Sequence, residues 1–154
     1  MAPTAAAIAD LGWHIQLQLD GNELADRVAE LSALPTPLVI DHIGRFMPPP
    51  SSLETPSVVA LFDLLDAGRT WVKLSAPYES TAATPPSHPE VLALVDRLVR
   101  DWPERLVWAS NWPHPGQPDP LTADDLETLA SRWLADDATR QRVLADNAAE
   151  LYGF

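Results

Sequence analysis

A chain of 154 residues with 10 Lys and Arg against 22 Asp and Glu, net charge -12 and an isoelectric point near 4.4, repels phosphate backbones and acidic lipid surfaces. The absence of cysteine excludes disulfides, thiolate catalysis, iron-sulfur ligation and cysteine-based zinc sites together. The length permits one substantial core, and with no long apolar run and no charged-then-apolar leader the chain is expected to be soluble and cytoplasmic, without nucleic acid or membrane as partner.

Alternation over 12–19 sets Trp13, Ile15, Leu17 and Leu19 against His14, Gln16 and Gln18, and predicts a strand. Asp20-Gly21-Asn22 turns the chain, and Leu24, Val28 and Leu31 predict an amphipathic helix that stops before Pro35. A short apolar run over 38–41 predicts a second strand, ending in Asp41-His42-Ile43-Gly44-Arg45. A proline-rich loop then leads to a helix with Thr55 as N-cap, Pro56 at its first position and Gly68 past its end. The third strand is expected over 71–75, followed by a loop through Tyr78 and Pro86 and a helix from near Pro89 carrying Val91, Leu94, Val95 and Leu98. The fourth is expected over 105–110, before Asn111-Trp112-Pro113-His114-Pro115 and a helix capped by Thr122 that bears Leu126, Leu129 and Trp133. A last helix is expected over 137–151.

Strands alternating with amphipathic helices predict an α/β fold with a parallel sheet, four β-α units plus a C-terminal helix, in a single domain over 1–154. Three of the loops after strands are long and rich in proline, whereas the helix-to-strand connection 67–70 is short. In (β/α)8 barrels the strand-to-helix loops build the active site, so the long loops mark the functional end. Inward parity gathers Gln16, Gln18, Lys73 and Ser75, with His42 and Asn111 at strand ends, which suits a ligand pocket. The competing reading is that these groups only hydrogen-bond to one another in the interior. No nucleophile elbow, phosphate loop or dinucleotide-binding turn occurs. The pairs Asp124-Asp125 and Asp136-Asp137 fall at helix starts, where carboxylates complement the helix dipole.

Five stretches, 12–17 (GWHIQL), 39–45 (VIDHIGR), 71–78 (WVKLSAPY), 106–115 (LVWASNWPHP) and 147–154 (NAAELYGF), resemble in order the amidohydrolase-2 family of barrel hydrolases. Members include lactonases acting on small aromatic-pathway carboxylates. The resemblance implies the C-terminal half of a TIM (β/α)8 barrel and a hydrolase acting on a lactone or related carbonyl bond of a small carboxylated compound. The N-terminal half of that barrel, which begins with a strand ending in His-x-His, has no counterpart among His14, His42, His88 and His114. By the same resemblance His42 is the active-site histidine, a metal ligand in some members and an electrophilic hydrogen-bond donor in others; the bland reading is an interior hydrogen-bonded histidine. Asn111 stands where the family usually has the aspartate that serves as general base, and an amide cannot take up a proton at useful pH. Glu79 follows Tyr78 where relatives with anionic substrates often carry arginine, which leaves Arg45 and Lys73 as candidate anion partners.

The expected catalytic residues are therefore His42 and Asn111. Gln16, Gln18, Arg45, Lys73, Tyr78, Trp112 and His114 are expected to bind substrate. No metal or other cofactor is expected in the isolated chain, and a divalent ion such as zinc only if the missing half is supplied. An N-terminal half-barrel polypeptide or a second copy is the expected macromolecular partner. The other hypothesis is a non-catalytic half-barrel that binds a ligand or another subunit.

Overall fold

The computed structural model describes residues 1–81 and 88–154. Four parallel strands lie in sequential order, β1 Ile15–Leu17, β2 Leu38–Ile40, β3 Thr70–Leu74 and β4 Leu106–Trp108. Three are shorter than the sequence suggests, and the reason is local. The Asp41 N-H still donates to Leu17 O, but the backbone at His42 then turns left-handed and the ladder has no partner to extend along.

Helix α1 spans Ala2–Ile8, α2 Leu24–Ser32, α3 Pro56–Asp66, α4 Pro89–Asp101, α5 Ala123–Trp133, α6 Asp137–Gln141 and α7 Asn147–Tyr152. Helix α1 was not legible in the pattern, because its alanine-rich sequence buries only Ala5 and carries no apolar stripe. A π turn over Arg142–Asp146 joins α6 to α7, so the helix expected over 137–151 is one run of mixed pitch. The start signals at Thr122 and Asp136 act as expected. Thr122 and Asp125 form a reciprocal capping box, and Asp136 accepts from Thr139 N. Thr55 precedes α3 without a side-chain cap, so Pro56 alone sets that start. The expected loop position Pro86 lies outside the described residues.

Alternation divides the sheet. Leu38, Ile40, Val72, Leu74 and Leu106 join the main core with Leu24 and Leu31 of α2, Leu61, Leu64 and Leu65 of α3, and Leu94, Val95 and Leu98 of α4. Each such fully buried aliphatic side chain contributes roughly 1.5–3 kcal/mol. The opposite parity carries Gln16, Val39, Trp71, Lys73 and Val107, aligned across the ladder as Gln16 with Val39 with Trp71, and Lys73 with Val107. There Val39, Trp71 and Val107 form a small second cluster against Leu151, so the C-terminal helix covers part of the inner face. Among the described residues β1 pairs only with β2 and β4 only with β3, leaving two sheet edges open. No described helix is long and apolar enough to cross a membrane.

Asn147 fastens this C-terminal helix. It is 1% exposed, and its amide donates to Pro103 O at 2.7 Å and Leu106 O at 2.6 Å, at the start of β4. Replacement by alanine strands two carbonyls in an apolar setting, at a cost of about 1–3 kcal/mol for each group left unsatisfied. Urea denaturation of Asn147→Ala is therefore expected to show a lowered midpoint with an unchanged slope.

Candidate functional site

At the C-terminal end of the inner face, Asp41 is the junction. Its Oδ2 accepts from Gln16 Nε2 at 3.0 Å, and Lys73 Nζ lies 3.0 Å from Oδ1 as an ion pair without hydrogen-bond alignment. The side chains of Lys73 and Asp41 are only 13% and 8% exposed, so the charge pairing is screened little by solvent. One carboxylate thus ties β1 and β3 together across the end of β2.

The chain leaves β2 through a left-handed turn in which His42 (φ 56), Ile43 (φ 58), Gly44 (φ 84) and Arg45 (φ 49) all have positive φ. For a β-branched residue such as Ile43 this conformation is strained, and it persists only where surroundings enforce it. Gly21 is one enforcer. Its N-H donates to Arg45 O at 3.1 Å, and a Cβ there would collide with Gly44 O and the Phe46 ring. The turn folds the His42 ring inward, 6% exposed, with Nδ1 2.9 Å from Ser75 Oγ at the end of β3. Burial pushes the His42 pKa below the usual histidine value; nearby Asp41 and Glu79 oppose that shift, and Lys73 and Arg45 add to it. The ring is neutral at pH 7.

A second cluster joins the next two loops. Asn111 Nδ2 donates to Tyr78 OH at 2.8 Å, and Tyr78 OH stands 3.1 Å from His114 Nδ1, with the Tyr78 and His114 rings edge to face. Arg45 Nε donates to Glu79 Oε2 at 3.0 Å, bridging the loops after β2 and β3. Among the described residues, every non-glycine with positive φ (His42, Ile43, Arg45, Ala76, His88, Asn111 and His114) lies in a loop that follows β2, β3 or β4. Strain concentrated at one end of a sheet is a signal of function that alternation and composition do not carry.

Of the residues singled out in the sequence, the fold gathers Gln16 with Lys73, and Tyr78 with Asn111 and His114; Arg45 reaches Glu79, and His42 reaches Ser75. Gln18 is exposed beyond the end of β1. Trp112 is 80% exposed. His42 and His114 are both buried. Asp41 is a site residue that the sequence reading did not single out, although a carboxylate of inward parity just past a strand end, level with Lys73 in the next strand, is the signal that locates it.

A divalent metal is what the sequence resemblance admits here, so the donor set needs a test. Among the described residues no three His, Asp or Glu side chains converge to hold an ion, and Asp41 is already engaged by an ammonium. A catalytic zinc takes three protein ligands, a set not found among the described residues.

Four β-α units with a strained polar cluster at the C-terminal strand ends define an α/β half-barrel. A family model described as amidohydrolase matches residues 2–154, and the chain belongs to that family. It is 34% identical over 145 residues to a D-galactarolactone isomerase of Agrobacterium fabrum, covering 91% of this chain and 48% of that protein. It is 31% identical over 147 residues to a 4-sulfomuconolactone hydrolase of Hydrogenophaga intermedia, covering 94% and 48%. An apo crystal structure from Agrobacterium tumefaciens superposes with a TM-score of 0.86 at 32% identity, over 97% of this chain and 54% of that one. The chain spans about half the length of the curated relatives it matches.

Removal of the ammonium from the inner pair is expected to leave a nearly buried carboxylate uncompensated. Lys73→Met should destabilise the fold by about 3–5 kcal/mol in urea, and adding Asp41→Asn should restore most of the loss. Stability also follows proton uptake. Burial lowers the pKa values of His14, His42 and His88, and His88 is fully buried with neither ring nitrogen partnered. A folded pKa below the unfolded value of 6.5 means that the stabilising contribution is complete above about pH 6.5 and is lost as pH falls below it. Melting temperature should therefore drop between pH 7.5 and 5.5, and drop less in His88→Phe.

Proposed function

We propose that the chain supplies half of a site for acyl transfer at the ring carbonyl of a small lactone, the other half coming from a complementary half-barrel. The observation that carries this reading is the buried His42 ring, anchored through Nδ1 2.9 Å from Ser75 Oγ. With the Ser75 hydroxyl donating to Nδ1, the proton resides on Nε2, where it donates to the lactone carbonyl oxygen and stabilises the charge that develops there. An oxygen nucleophile adds to the carbonyl carbon, the ring C-O bond breaks, and the nucleophile's proton passes to the departing ring oxygen. With water as nucleophile the product is a hydroxy acid, and the reaction is the hydrolysis implied by the sequence resemblance. Gln16, Lys73, Tyr78 and His114 position substrate in this scheme, and Gln18 and Trp112 contribute only if the partner half folds over them.

One residue favours a second outcome at the same site. Asn111 spends its amide N-H on Tyr78 and offers no carboxylate to deprotonate water. Loss of a positioned base costs about 10²-fold to 10⁴-fold, which an attacking hydroxyl within the substrate offsets, since intramolecular attack has effective molarities of roughly 10⁵–10⁸ M. The lactone then rearranges into another lactone, the reaction named for the Agrobacterium fabrum relative.

Completion of the barrel is supported by the two open edges and by the half-length match, because a closed barrel has no edge strands. A net charge of -12 opposes pairing with a second copy and favours a less acidic partner. Light scattering of the chain with and without the N-terminal half of a 4-sulfomuconolactone hydrolase should show a one-to-one complex; a compact monomer unaffected by that half would sink this part of the reading. The chemistry is tested by chromatography of products from the complex. Asn111→Asp is expected to raise hydrolysis relative to rearrangement by at least 10-fold, and His42→Ala to abolish both. Turnover by the unassisted wild-type chain would show that no partner half is required.

A further inference from the structure

The two cations that the sequence offers for an anionic substrate are both spoken for. Lys73 stands 3.0 Å from Asp41, and Arg45 stands 3.0 Å from Glu79. Two cations and two carboxylates leave this half of the face without net charge, and His42 is neutral beside them. The six residues 82–87 carry no charged side chain in the sequence.

The Arg45–Glu79 pair belongs to the same neighbourhood as the reacting end. Arg45 closes the turn that holds His42, and Glu79 ends the short 3-10 turn Pro77–Glu79 that carries Tyr78. Both charges act on the His42 ring, from opposite directions. The two side chains are partly exposed, at 35% and 21%, so a ligand can reach them. Only Oε2 of Glu79 is engaged by Arg45, and Oε1 remains to accept from a hydroxyl. Tyr78 in the same turn, and Asn111, which donates to the Tyr78 hydroxyl, are neutral groups that hydrogen-bond to hydroxyls.

We propose, on the reading of the site given above, that this half-barrel receives an uncharged, hydroxyl-bearing part of its lactone and turns a carboxylate away, with Glu79 as the specificity-determining residue. A carboxylate brought to Arg45 has to displace a covalently tethered one that is already in place, and it meets the charge of Glu79 as it arrives. A hydroxyl meets no such charge and gains an anionic acceptor, which makes a stronger hydrogen bond than a neutral one. Any carboxylate of the substrate accordingly lies toward the complementary half of the barrel.

The experiment uses the full chain complexed with the N-terminal half of a 4-sulfomuconolactone hydrolase, and two probes. D-Galactono-1,4-lactone is uncharged and bears several hydroxyls, whereas 2-pyrone-4,6-dicarboxylate is a dianion without any. Dissociation constants are measured by calorimetry for the wild type, Glu79→Gln and Glu79→Arg. Because the result is a ratio of two affinities on one sample, partial unfolding of a variant does not imitate it. The wild type is expected to prefer the hydroxylated lactone. Glu79→Gln, which releases Arg45, should move the ratio toward the dicarboxylate by about 10-fold, and Glu79→Arg by more. A wild type that prefers the dicarboxylate, or a ratio unmoved by both substitutions, overturns the role of Glu79 and leaves the lactone reading standing. Binding of neither probe by the complex overturns the lactone reading itself, and this inference with it.

Discussion

The carboxylate of Asp41 is the point on which the functional end depends. It lies one residue past β2, yet it takes Gln16 from β1 and Lys73 from β3, so the first three strands converge on one nearly buried charge. A buried ion pair contributes little net stability compared with apolar packing of the same volume, and its value is geometric. It fixes where β2 stops, and so where the left-handed turn bearing His42 begins. That turn is also held from the side by Gly21, whose missing Cβ lets the loop after β1 press against Gly44 and Phe46. The position of His42 therefore follows from a charge pair and a close backbone approach, neither of which touches the imidazole.

Strain and charge are distributed unevenly over the molecule. The strained backbone lies in the loops that follow β2, β3 and β4, and the two ion pairs that link different loops and strands of the inner face lie there too. The opposite end is quieter: Arg69 donates to Leu34 O and Thr36 O, Asn147 pins the last helix, and Arg105 lies over the Trp71 ring. Such a division, with one end stabilising and the other bearing polar groups in costly conformations, is the pattern of (β/α)8 barrels. The chain keeps that division with four strands and two open edges among its described residues.

Charge compensation gives the site its chemical character. A lysine and an arginine on a prospective binding face suggest anion recognition when counted singly, and the structure cancels each with a carboxylate from a neighbouring element. Neutral hydrogen-bonding groups remain, together with an imidazole that burial keeps unprotonated. Asn111 continues the theme, since an amide in place of a carboxylate removes both a charge and a base. Neutral groups of this kind are suited to orienting hydroxyls and a carbonyl, in keeping with the acyl transfer proposed for the site.

Much of the fold was legible in the sequence because its signals are local. The two-residue alternation in β1, the i, i+4, i+7 apolar stripe of α2, the Pro56 start and the Thr122 capping box each depend on residues a few positions apart. Element order then implied a parallel sheet. Helix α1 escaped because it buries one alanine and has no stripe, and strand lengths were overestimated because a strand ends where its neighbour leaves the ladder, which no single segment records. For the candidate site, inward parity singled out Gln16 and Lys73, and motif resemblance singled out His42, Tyr78, Asn111 and His114. Only the tertiary structure decided what these residues do to one another: Asp41 as junction, Arg45 cancelled by Glu79 34 positions away, His42 turned inward onto Ser75, and Trp112 left in solvent. Residue types and their periodicity fix which groups face inward, whereas partnership between charges depends on distances across loops that are set only when the strands pack side by side.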